Sequence, residues 1–139
     1  AGRLPHAEFA TALRACDVFI SVPSVDATAV SLLEAMSTGR AVIVSSLASA
    51  CEWVDDGASG LVVPPRDVEA LAAAMRRLVQ DAGLRRTLGE SALAVARREA
   101  GFAGNMRRVD AVFAHLLAGA PWPADSSLAA LRQSGAVRA

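Results

Sequence analysis

Residues 17–45, DVFISVPSVDATAVSLLEAMSTGRAVIVS, decide the fold. They open on a short apolar run from Asp17 to Val22 that reads as a buried strand and is ended by Pro23. From Thr28 the spacing turns helical, with Ala29, Leu32, Leu33 and Met36 on one face and Gly39 as the stop. Ala41-Val-Ile-Val-Ser45 follows as a second strand, β-branched and continuous enough to be buried on both faces. Strand, helix and strand in so few residues make a βαβ unit, whose two strands run parallel.

The flanking sequence extends the same alternation. Upstream, residues 5–16 place Phe9, Leu13 and Cys16 at i, i+4 and i+7, a helix with Pro5 in its first turn. Downstream, a short helix is expected within residues 48–56 around Trp53 and Val54, closed by Asp56-Gly57. A third strand, Gly60-Leu-Val-Val63, runs into Pro64-Pro65. The remainder reads as helices. The first is capped by Asp67, with Val68, Leu71, Met75 and Leu78 as its buried stripe. The second covers about residues 81–100, with Leu84, Leu88, Ala92 and Val95 inward. The third follows an Asn105 cap, with Met106, Val109, Phe113, Leu116 and Leu117 on one side. From Gly119 a Pro- and Ser-rich run suggests a loosely held tail. The fold class is therefore α/β: a partial Rossmann-like half-domain with about three parallel strands and flanking helices over residues 1–118, then a tail over 119–139. A doubly wound sheet has two such halves, so a lone half leaves one strand edge unpaired.

Composition narrows the function. Over 139 residues, 53% are hydrophobic, enough to bury a core. The 14 basic residues, all arginine, balance 14 acidic ones, which argues against nucleic acid or an anionic membrane as a partner held by bulk charge. No apolar run approaches the ~20 residues of a membrane span, and the first ten residues carry no secretory signal pattern. Cys16 and Cys51 lack paired spacing, and His6 and His115 lie far from both, so neither a structural zinc nor a disulfide framework is expected. The expectation is a soluble, cytoplasmic protein. The two cysteines read as small buried hydrophobes, His6 as a surface residue, and the arginine pairs 76–77, 85–86, 97–98 and 107–108 as solvated helix faces.

Chemistry concentrates in residues 23–39. This segment joins strand to helix at the carboxyl end of the sheet, where open α/β folds bind ligands. Backbone N–H groups of residues 26–29 at a helix N-terminus suit a phosphate or diphosphate. Glu34 lies about 9 Å further along the axis at ~1.5 Å per residue, so its carboxylate can accept hydrogen bonds from the hydroxyls of an attached ribose. Asp26 and Glu34 would bracket a sugar nucleotide from its two ends. Spacing alone leaves the other reading open, with Glu34 a solvated helix residue and Asp26 a turn former.

The run from Ser24 to Met36, SVDATAVSLLEAM, resembles the acidic-x7-Glu signature of group 1 (family 4) retaining glycosyltransferases of the GT-B fold. The likeness continues through Gly39-Arg-Ala-Val-Ile-Val-Ser45, Glu52-Trp-Val-Asp-Asp-Gly57, Gly60-Leu-Val-Val-Pro-Pro65 and Asp67. It covers roughly residues 3–117. It implies an enzyme that transfers a sugar with retention from a nucleotide diphosphate donor to a glycan or lipid-linked acceptor, with the chain forming the second half of the C-terminal, donor-binding domain. Glu34 matches the ribose-contacting glutamate and Asp26 the catalytic-side acid facing the donor sugar. Ala27, Thr28, Ala29 and Val30 match positions whose backbone meets sugar and diphosphate. The resemblance implies no metal and no cofactor beyond the donor substrate.

The family's basic pair that grips the diphosphate has no counterpart here, nor has the N-terminal acceptor domain. Arg66 stands where the family often has glycine. The expectation is accordingly a donor-binding part without turnover of its own, soluble or peripheral to a membrane in its parent enzyme. The alternative is a non-catalytic interaction module that pairs its open edge with a second copy or another chain.

Overall fold

The computed structural model describes residues 4–27 and 30–119. The chain divides into two compact units, Ala1–Arg98 and Glu99–Ala139. In the first, three parallel strands, β1 (Val18–Ser21), β2 (Ala41–Ser45) and β3 (Leu61–Val63), form one sheet in the order β1-β2-β3. Val18 pairs with Ala41 and Ile43 with Leu61. Helices α1 (His6–Ala15), α2 (Val30–Ser37), α3 (Ala48–Cys51), α4 (Val68–Gln80) and α5 (Ala82–Glu99) accompany it.

The central strand is β2, all five of whose residues are buried, as its unbroken apolar run requires. Its two faces feed two cores. Val42 and Val44 pack with Leu13 of α1, Leu32, Ala35 and Met36 of α2, and Ala92 and Ala96 of α5. Ala41 and Ile43 pack with Leu61, Val63, Ala74, Leu78 and Leu88 on the other. Helix α5 thus contributes to both, by closing on the turn before β2. There Gly39 takes φ 71, and a Cβ on Gly89 would collide with the Gly39 carbonyl oxygen. Glycine at both positions lets helix and turn touch through backbone.

The expected half-sheet edge is present. β1 pairs only with β2 among the described residues, and Ile20 remains 37% exposed. The Asp67 carboxylate accepts from Ala70 N at 2.8 Å and caps α4 as expected. The stripe expected on α4 holds in half of its residues: Leu78 is buried and Leu71 packs against the core, while Val68 and Met75 are exposed. Ala70 and Ala74 complete the face on the sheet, so the helix is rotated slightly from the expected stripe. Cys51 is exposed rather than buried, and Cys16 is half-buried with its thiol directed to the Leu13 carbonyl. Arg85 departs from the solvated-face reading: its Nη1 donates to the carbonyls of Leu78 and Val79 and closes the end of α4.

In the second unit α6 spans Phe102–Leu117 and buries none of its residues. Its N-cap is Gly101, so Asn105 lies within the helix. The Asn105 amide instead donates to the Glu99 carbonyl at 3.2 Å and accepts from Arg108. Residues 120–139, and with them all but the first residue of the expected tail, lie outside the described residues.

Candidate functional site

β1 delivers the chain at its carboxyl end into the loop of residues 22–27. Two serines hold that loop from neighbouring elements. Ser45, fully buried at the end of β2, donates its hydroxyl to the Pro23 carbonyl at 2.7 Å. Ser49 on α3 donates to the Asp26 carbonyl at 3.3 Å. Each gives a turn carbonyl a partner, and together they fix the path of the loop over the strand ends. Neither serine stands out in the sequence, because each acts only once β2 and α3 lie beside the loop.

Asp26 and Ala27 are exposed in this loop. Thr28 and Ala29 lie outside the described residues. Val30 is the first residue of α2 and is 63% exposed. Helix α2 is pinned from beneath by Leu32, Ala35 and Met36, which leaves its first turn at the carboxyl end of the sheet. First-turn N–H groups of an α-helix lack intrahelical acceptors and carry the positive end of the helix dipole.

Glu34 stands one turn on, about 6 Å from Val30 along the axis at ~1.5 Å per residue. Its side chain is 30% exposed, which leaves the carboxylate open to a ligand. His6, the first residue of α1, lies against it, with Nδ1 3.5 Å from Glu34 Oε1. The sequence reading left His6 at the surface. It is 83% exposed, yet it faces the candidate site, a placement that no local pattern 28 residues away could show.

On the α4 side of the sheet, the same strand ends border a cavity of about 210 Å³ lined by Val22, Ser24, Val63, Arg66 and Leu71. Neither Asp26 nor Glu34 lines it. Arg66 takes φ 63, the left-handed geometry that glycine adopts without strain, at the position where the resembled family often has glycine. Among the described residues no three His, Cys, Asp or Glu side chains gather as metal ligands, and no helix is long and apolar enough to cross a membrane.

A parallel sheet with a loop and a helix N-terminus at its carboxyl edge defines an open α/β unit. The model of the family described as glycosyl transferases group 1 matches residues 1–81, and the chain belongs to that family of enzymes. Two curated relatives give the scale of the likeness. An exopolysaccharide phosphotransferase of Streptomyces coelicolor is 45% identical over 62 residues, 44% of this chain and 7% of that protein. A phosphatidyl-myo-inositol mannosyltransferase of Mycolicibacterium smegmatis is 34% identical over 86 residues, 60% of this chain and 22% of that one.

Solved structures share the fold. Sucrose-phosphate synthase from Thermosynechococcus elongatus superposes with a TM-score of 0.81 at 26% identity, over 86% of this chain and 30% of that one. HepE of Anabaena, in complex with UDP, gives 0.72 at 20% identity, over 74% and 29%. The C-terminal domain of a glycosyl transferase group 1 protein from Francisella tularensis gives 0.69 at 21%, over 73% and 53%. The three parallel strands and flanking helices are those of GT-B glycosyltransferases. The chain spans less than a quarter of the length of either curated relative.

Proposed function

We propose that this chain is the donor-binding part of a retaining glycosyltransferase that uses a nucleotide diphosphate sugar. One observation carries the reading: Glu34 presents a partly exposed carboxylate one turn into α2, beside a helix N-terminus held at the carboxyl end of the sheet. The diphosphate lies at the first turn of α2, where the backbone of Ala27, Thr28, Ala29 and Val30 receives it. Glu34 accepts from the ribose hydroxyls, and Asp26 faces the donor sugar. In transfer, the bond between the anomeric carbon and the diphosphate breaks with its electron pair leaving on the phosphate. The acceptor oxygen bonds that carbon on the same face, and its proton passes to the departing diphosphate. The helix N-terminus favours the charge gathering on the leaving group.

In this reading the site that binds the glycan or lipid-linked acceptor, and further basic groups for the diphosphate, belong to protein outside these 139 residues, as the greater length of the curated relatives allows. Donor binding rather than turnover is then the activity of the chain alone. The reading needs neither metal nor further cofactor. The UDP complex of HepE supports a nucleoside diphosphate as the ligand class. Calorimetric titration of UDP and GDP into the chain tests it. Glu34→Ala is expected to weaken the preferred diphosphate by about 1.5–3 kcal/mol, the worth of hydrogen bonds to a charged group. Equal affinity of the two proteins would remove the ribose role.

A second reading is favoured by a different observation, the half-buried β1 and its exposed Ile20. In it the chain pairs that edge with another polypeptide and need not bind a nucleotide.

A further inference from the structure

The contact between His6 and Glu34 joins two residues whose placement is set independently. Helix α1 is fastened by Leu13, buried at 4%, and by Phe9 packed against the same core. The Arg40 guanidinium reinforces it, donating through Nη1 to the Cys16 carbonyl at 3.2 Å just past its last turn. Glu34 is carried by α2, whose Leu32, Ala35 and Met36 fill that core from the neighbouring side. The shared core therefore sets the imidazole beside the carboxylate, with 3.5 Å between Nδ1 and Oε1.

A glutamate side chain has three rotatable bonds, and an exposed one samples many rotamers. Accepting from a ribose diol requires one orientation of the carboxylate plane. A donor on one oxygen selects that plane before the ligand arrives and removes part of the ordering cost from binding. We infer that His6 is a positioning residue: through Nδ1 it holds Oε1 of Glu34, so that the carboxylate meets the ribose hydroxyls of a nucleoside diphosphate already oriented. This rests on the donor-binding reading above and assigns His6 a part in it. The imidazole acts through the glutamate and bonds no donor atom itself.

The test uses the full 139-residue chain and calorimetric titration with UDP or GDP, whichever binds more tightly, and with the analogue of that diphosphate lacking both ribose hydroxyls. His6→Leu is expected to weaken the parent diphosphate by about 3–5-fold, the scale of one polar contact to an exposed side chain, and to leave the analogue within about 1.5-fold. His6→Asn, whose side-chain amide donates from nearly the same place as Nδ1, is expected to restore most of the loss. In a Glu34→Gln background, His6→Leu is expected to add less than it does alone, because the two act through one contact.

Unchanged affinity in His6→Leu, equal losses for diphosphate and analogue, or no recovery in His6→Asn would each overturn the assignment. If Glu34→Gln weakens binding while His6→Leu does not, the positioning role falls and the ribose role of Glu34 stands. If Glu34→Gln leaves affinity unchanged, the ribose role of Glu34 falls and takes this one with it; if neither diphosphate binds the unaltered chain, the donor-binding reading itself falls.

Discussion

Helices α2 and α6 are both amphipathic in sequence, and their fates differ. α2 has eight residues and buries Leu32, Ala35 and Met36, while α6 has sixteen and buries none. Phe102 and Phe113 on the longer helix are 78% and 59% exposed. Burial is therefore not a property of the stripe alone. Helix α2 is delivered by a βαβ connection onto a sheet whose central strand is apolar on both faces, so a surface meets its stripe. The same difference separates the two sides of α4, where Leu71, Ala74 and Leu78 meet the sheet and Val68 and Met75 do not.

Substitutions should separate the packed helix from the exposed one. The largest effect is expected in the packed helix. Leu32→Ala removes a fully buried side chain and should cost about 2–5 kcal/mol in denaturant unfolding, the range for cavity-forming core truncations. A loss below about 1 kcal/mol would mean that the α2 core is looser than described. Next in size is the effect of Glu34→Ala on nucleoside diphosphate affinity, given above. It should come with little change in unfolding, since the removed carboxylate is partly solvated, and an equal loss of stability would recast Glu34 as structural.

Arg66→Gly sharpens the contrast between packing and backbone. The arginine is exposed and sits at φ 63, so glycine should stabilise the fold by about 1 kcal/mol, seen as a raised unfolding midpoint. A lowered midpoint would show that the side chain supports the β3–α4 turn. The smallest effect is expected on α6. Phe113→Ser should shift stability by less than about 0.5 kcal/mol, and a larger loss would reveal a partner for that helix.

The same logic explains what the sequence made legible. β2 was readable to the residue, Ala41–Ser45, because five apolar or small residues in a row suit a strand covered on both faces. The Asp67 cap was readable because its bond to Ala70 N is local. On α4 the spacing placed Leu71 and Leu78 on the buried face, but Ala70 and Ala74 complete that face where Val68 and Met75 were expected. Asn105 looked like a cap because capping residue types also bond other backbone groups, here the Glu99 carbonyl.

Around the site, strand β1, the loop after it and helix α2 were legible as one unit. Ser45, Ser49 and His6 were not, since each reaches the segment from another element across a distance in sequence that only the folded sheet closes. Arg66 lies between these cases. Its departure from glycine was visible in the sequence, and its positive φ shows an arginine held in the geometry that glycine adopts without strain.

The central claim is that residues 26–34 form a donor half-site. The most direct measurement is an amide NMR titration of the chain with UDP and GDP. A donor half-site should give saturable shifts for one of the diphosphates, clustered over residues 23–34 and reaching His6. A well-dispersed spectrum that neither nucleotide perturbs, or shifts confined to the cavity beside Arg66, would contradict it.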